Sequence, residues 1–249
     1  MAVNIDTVYQ RVLAITNKEQ RGYITPLEFN LLANQAAIAV FEQYFYDRNK
    51  LADLPGNSTE FSDTDTMLNE KITLFAQVGT PIIGGTLLPN NLYRLGSVYY
   101  EESVANWAPY AGAQPNDLRR YEAKLVSAKE WLVIQNTPLL KPTDKRPIYI
   151  RRQNNEISVF RSGNTMITDG VVINFIAQPD RVEWGYDVVG EKALHNGTPG
   201  RTTHFQHHPS DETTLVLKIL ELAGVIIEDQ GVVQYANTKD SQIQQQQKS

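Results

Sequence analysis

The sequence contains no cysteine, which excludes disulfide bonds, thiolate nucleophiles and cysteine-ligated zinc together and leaves any metal site to histidine and carboxylate. Long apolar runs are missing too. The greasiest stretch, Leu215 to Ile227, is interrupted by Lys218 and Glu221, and the opening residues Met1-Ala2-Val3-Asn4-Ile5-Asp6 lack a basic region ahead of an apolar core. The expectation is a chain with neither signal peptide nor membrane span, in which the sequons Asn57-Ser58-Thr59 and Asn196-Gly197-Thr198 are surface turns. An excess of positive charge is also absent. With 23 Lys and Arg against 28 Asp and Glu, the formal net charge of −5 leaves no overall footprint for nucleic-acid binding.

Catalytic motifs are absent as well. Gly84-Gly85, Gly163 and Gly197-Thr198-Pro199-Gly200 lack the spacing, lysine and following helix of a phosphate loop, and no Gly-x-Ser-x-Gly elbow occurs. Asp211-Glu212, Asp63 with Asp65, and Glu101-Glu102 are carboxylate pairs, but acid–base work needs convergence in a cleft, and neighbours on a strand or helix start diverge. The chain reads as a non-enzyme without a cofactor.

What is present is ordinary folded-protein composition, 41% hydrophobic and 20% charged residues over 249 positions. Asn4 or Asp6 can cap a short helix carrying Ile5, Val8, Val12 and Ile15. Thr25-Pro26-Leu27-Glu28 is a stronger start: a capping hydroxyl, a first-turn proline, and a carboxylate that reaches back to the cap amide. The helix expected from about Pro26 to Asn49 is apolar nearly all round, and Ile38 shares its outer column with Asn34 and Glu42, so a second covering surface is expected there. Ser62 or Asp63 starts a helix with Met67, Leu68, Ile72 and Phe75.

From Leu87 the texture turns to β. Leu92 to Tyr100 reads as a strand with a bulge at Gly96, Ser127-Ala128-Lys129-Glu130 as a second capping box, and Pro147 to Arg161 as a hairpin around Gln153-Asn154-Asn155. Val171 to Ala177 is apolar enough to be a strand buried on both faces. Helix resumes at Pro209-Ser210-Asp211-Glu212, with Ser210 as cap and the acids on the positive end of the dipole, and a short helical segment carries Val232, Val233 and Tyr235. The expected class is α+β: a discontinuous helical bundle body from residues 1–80 and 209–249, a β-rich insertion over 81–208, and a polar low-complexity tail at 238–249.

Three groups of residues are candidates for function. All four histidines lie between His195 and His208, at spacings unlike the helical His-Glu-x-x-His arrangement, so they are expected to bond locally and hold no metal. Lys145, Arg146, Arg151 and Arg152 form a candidate patch for an anionic partner, with a solvated hairpin face as its plain alternative. On a wheel of about 100° per residue, Val216, Ile219, Leu220, Ala223 and Ile227 cluster as the core face of the last helix, whereas Leu217 and Val225 fall beside its polar side chains. With Ile38 they are the candidate subunit-interface residues, expected near water in a lone chain.

Three stretches are distinctive in combination: Gln20 to Asn30 followed by Phe41-Glu42-Gln43-Tyr44-Phe45; Leu139 to Thr143 through Pro147-Ile148-Tyr149 into the hairpin; and His208 to Glu212 with Leu215 to Val225 and the glutamine-rich end. Together they resemble the ring, or head-to-tail adaptor, proteins of short-tailed bacteriophages, particularly the crAss-like group. The resemblance implies a virion structural protein at the head–tail junction or tail, made in the cytoplasm of a bacterial host. It implies a closed ring of about twelve identical subunits meeting the portal or neighbouring tail rings, with passing contact to packaged DNA and none to membrane. Two other classes stand beside it: a nucleic-acid-binding module using the basic hairpin, and a metal-dependent enzyme using the histidines.

Overall fold

The computed structural model describes residues 2–18, 24–52, 59–82, 84, 86–103, 118–153, 155–190 and 192–226. These form five α-helices and nine β-strands, a mixed α+β chain. Two compact units divide it: Met1–Phe75 with Pro179–Ser249, and Ala76–Gln178. Among the described residues no helix is long and apolar enough to cross a membrane.

The first unit holds helices α1 (Ile5–Lys18), α2 (Pro26–Ala52), α3 (Thr59–Thr73) and α5 (Glu212–Ile226). Asn4 Oδ1 accepts from the Asp6 amide at 2.9 Å to open α1. At α2 the Thr25 hydroxyl accepts from the Glu28 amide at 3.3 Å, while the Glu28 carboxylate accepts from the Thr25 amide at 2.9 Å. The Thr25 amide, and with it the Thr25 hydroxyl at 2.8 Å, donate to the Glu28 carboxylate and hold that carboxyl below the usual range. Helix α3 starts at Thr59, earlier than the Ser62 or Asp63 start read from the sequence. A 3-10 turn, Pro209–Asp211, precedes α5, and its cap is His208, whose Nδ1 accepts from the Ser210 amide at 3.2 Å, so Ser210 is not the cap.

Helix α5 corrects a second expectation. Leu215, Val216, Leu217, Ile219, Leu220 and Ala223 are all buried, and Leu217 is only 8% exposed. Helix α5 packs against both α1 and α2, so its covered side reaches round to Leu217, and Lys218 and Glu221 beside it stay part-exposed, paired with each other. The side chain of Val225, the core-face candidate Ile227, the segment carrying Val232, Val233 and Tyr235, and the tail at 238–249 lie outside the described residues.

The boundaries of the β-rich region differ from 81–208 at both ends. Its first strand, β1 (Ala76–Pro81), begins earlier. Residues 179–208, including the hairpin of β8 (Tyr186–Val189) and β9 (Lys192–His195), belong with the helices. The reason is packing: Trp184, Phe205 and His207 are buried in that unit, with Trp184 against Tyr9 at 4.4 Å between ring centroids. Gly185 fits because a Cβ there would stand 2.4 Å from the Arg201 carbonyl oxygen.

The second unit is a seven-stranded sheet in the order β1-β7-β2-β3-β4-β5-β6, with β2 (Leu92–Ser103), β3 (Leu118–Leu125), β4 (Ile148–Arg152), β5 (Glu156–Arg161), β6 (Thr165–Ile167) and β7 (Val171–Ala177). All pairs are antiparallel except β3 with β4, whose crossover carries α4 (Ala128–Asn136). At Gly96 the register against β7 shifts, and an added Cβ would lie 2.9 Å from the Asn174 carbonyl oxygen, so this position needs glycine. Beyond the short β6, Ile157 donates to Thr86 O at 2.8 Å and Leu88 to Asn155 O at 3.0 Å, so the chain leaving β1 borders β5. Val98, Ile157, Val159 and Ile173, each 0% exposed, centre the enclosed core. Helix α4, opened by the Ser127/Glu130 capping box, covers a smaller cluster by stacking Trp131 on Phe160 at 4.2 Å.

Candidate functional site

Within the first unit, α2 presents an exposed apolar row, Leu27, Leu31 and Ile38, at 66%, 60% and 51% exposure. Their spacing places them within a narrow arc at about 100° per residue. Leu31, Ala37 and Ile38 form one wall of a shallow cavity of about 330 Å³, and Pro179, Asp180 and Arg181 form the other. Asp180 is held by Gln206, which donates to its carboxylate, whereas Arg181 is exposed at the rim. The cavity is thus largely apolar, with the opposite charges of Asp180 and Arg181 on one wall, suited to a side chain or chain segment from a neighbour.

Two asparagines fix this wall. Asn34 donates to Val182 O at 2.8 Å and accepts from Val182 N at 3.0 Å. Asn30 does the same with Trp184, at 3.3 and 2.8 Å. Residues four apart on a helix rise about 6 Å and residues two apart on an extended chain advance about 6.6 Å, so the two side-chain amides meet alternate peptide units. Asparagine is a poor choice inside a helix unless its amide has such partners, which is the one local signal that could have marked them.

The histidines separate into different tasks. His195 stacks on Trp184 at 5.6 Å, His204 Nδ1 accepts from the Ile5 amide at 3.3 Å, and His208 caps the turn before α5. His207 is 0% exposed, its Nε2 3.0 Å from Ala37 O. Among the described residues no group of three or more His, Asp or Glu is placed to hold a metal ion. Asp211 and Glu212 diverge: Glu212 meets Arg11 at 2.6 Å, while Asp211, 4% exposed, turns inward to Lys71 at 2.6 Å and the Tyr44 hydroxyl at 2.8 Å. Asp211 is therefore an internal anion paired across three elements. Burial first, and then the Asp211 carboxylate, push the Tyr44 phenol far above its ordinary range.

The four basic candidates do not converge. Lys145 and Arg146 lie in the turn before β4 and Arg151 and Arg152 at its far end, about 15 Å of extended strand apart. Arg161, near the first pair, donates to the Tyr100 hydroxyl and lies 3.9 Å from Asp144, so it serves the unit itself. Of the interface candidates, Ile38 is exposed beside the cavity and Leu217 is in the core. The sequence matches no protein-family model and no curated protein.

Proposed function

We propose that this chain is a structural, non-catalytic subunit of a closed ring in the portal-to-tail connector of a tailed bacteriophage. The observation that carries the reading is the row of Leu27, Leu31 and Ile38, each more than half exposed on a helix whose opposite face is buried in the core. Three large aliphatic side chains beside a largely apolar cavity gain by being covered, at about 25 cal/mol per Å² of apolar surface removed from water. The resemblance of three sequence stretches to phage ring proteins supports the same reading. In it, the helices of the first unit are the bundle body of the subunit, and another subunit of the assembly covers the α2 row. The partners are identical copies, about twelve in a closed ring, together with a portal or neighbouring ring protein in the virion.

Native mass spectrometry of the purified protein, with particle imaging, tests this. The expected result is a closed oligomer larger than a dimer. The Leu31→Lys, Ile38→Lys double variant is expected to keep its circular dichroism and to lose the contact made by the row. A monomer or twofold dimer at every concentration overturns the reading.

A further inference from the structure

Two exposed strips, neither part of the α2 row, are apolar and complementary in charge. On α4, Trp131 and Ile134 face the core cluster beneath. The opposite side of the same helix carries Lys129, Leu132 and Val133, with Leu132 at 61% and Val133 at 54% exposure. At about 100° per residue these three lie within one arc centred opposite Trp131 and Ile134, so the helix is apolar on two faces and only one is covered within the described residues. The turn that follows the helix exposes Leu139 at 96% and Leu140 at 55%, next to exposed Lys141. Exposure of this extent over consecutive large aliphatic side chains marks an interaction surface, since isolated leucines at a surface do not cluster in this way.

The second strip lies on α3. Asp63, Met67 and Glu70 are exposed at helical spacing, and Leu74, 44% exposed, extends the line just past the helix end. They fall within an arc of about 60°, with the two carboxylates about 10 Å apart along the axis. One strip is therefore aliphatic with lysines at its ends, and the other is apolar with acids interleaved. Neither Lys129 nor Lys141 has an ion-pair partner among the described residues, and neither do Asp63 and Glu70.

We infer that the α4 strip of one copy docks on the α3 strip of a second copy, Leu132, Val133 and Leu139 covering Met67 and Leu74 while Lys129 and Lys141 meet Asp63 and Glu70. The two surfaces are different, so the contact is heterologous and repeats from copy to copy until it closes. This rests on the ring reading and assigns the contact that joins neighbours within the ring. Charge sets the register and excludes like-to-like pairing, because two α4 strips or two α3 strips would face equal charges.

The test uses two full-length variants with exposed positions changed, Leu132→Asp with Leu139→Asp, and Met67→Asp with Leu74→Asp, followed by native mass spectrometry and sedimentation over a concentration series, with circular dichroism as the folding control. Each variant alone is expected to remain monomeric, its self-association weakened by at least about tenfold. An equimolar mixture is expected to stop at a dimer containing one chain of each kind, since only one intact strip of each type remains. Wild-type oligomers that persist unchanged in both variants overturn this contact and leave the ring reading standing. A variant that forms dimers by itself shows a twofold contact and also overturns it. A wild-type chain that stays monomeric throughout overturns both.

Discussion

His207 must donate through Nε2, because Ala37 offers only a carbonyl oxygen, and its Nδ1 then has no hydrogen-bond partner. Around it stand the rings of Phe75 at 5.3 Å and Tyr44 at 6.1 Å. Burial lowers its pKa below the ordinary 6.5; the bond to Ala37 and the Asp211 carboxylate oppose this, and Lys71 adds to it. A depressed histidine contributes stability that is complete above the unfolded-state value and is lost as pH falls from about 6.5 towards the folded-state value, because the unfolded chain binds the proton first. The slope from this one group approaches about 1.4 kcal/mol per pH unit at most. Urea midpoints between pH 8 and 5 measure it, and His207→Phe is expected to flatten the decline in that window; an unchanged slope would remove His207 as its source. The neighbouring pair behaves differently. Lys71→Met strands the Asp211 carboxylate in the interior with Tyr44 as its remaining partner and should cost about 3 kcal/mol. Lys71→Met with Asp211→Asn removes both charges, keeps an acceptor for Tyr44, and should recover at least half of that loss. A double variant as unstable as the single one would show that the charge is not what matters. None of this pairing was legible locally, since Lys71 and Asp211 are 140 residues apart and Asp211 stands where an acid on a helix dipole is expected.

At the scale of the element, the features readable from sequence are those whose partners are close along the chain. The Thr25/Glu28 and Ser127/Glu130 boxes, the hairpin of β4 and β5, and the glycine bulge at Gly96 each depend on residues within a few positions or on one backbone requirement. The outward faces of α2 and α5 depend on which elements cover them. Ile38 remained outside and Leu217 went inside, although the wheel placed both near water, because α5 lies between two helices. The α2 wall illustrates the same point with polar groups. Asn30 and Asn34 each make a two-way bond to a peptide unit of the segment after Pro179. Asn34→Ala removes both bonds and leaves the Val182 amide and carbonyl unpaired in a partly buried place, at a cost of about 2 kcal/mol. Hydrogen exchange at Val182 and Trp184 should then accelerate while α2 itself stays protected. Equal protection in both proteins would mean that the Asn34 bonds do not hold the segment, leaving that task to Asn30 and the packing of Trp184.

For the molecule as a whole, the order helix, sheet, helix could be read from composition and periodicity, while the exit boundary could not. The β-rich insertion expected over 81–208 takes in residues 179–208; their allegiance is decided by Trp184 and Phe205, whose burial in the helical unit has no signature along the chain. The topology also has a consequence for excision. The second unit begins at Ala76 in β1 and ends at Gln178 just after β7, and these strands are antiparallel neighbours with Ala76 opposite Ile176. Ala76 therefore stands about 5 Å from Ile176, two residues before the unit's other end, so the chain enters and leaves through adjacent strands. A unit with a contiguous chain, its own enclosed core and adjoining termini should fold when expressed alone as residues 76–178. By the same geometry, joining Phe75 to Pro179 through a short glycine-serine linker should leave the helical unit folded. That shortened chain retains one of the three tryptophans, Trp184, which is 2% exposed and packs against the rings of Tyr9 and His195. Its fluorescence should be that of a buried indole and should move to longer wavelength in one cooperative step with urea. Emission of a solvated indole in the absence of denaturant, with no cooperative transition, would show that the helical unit needs the sheet in order to fold.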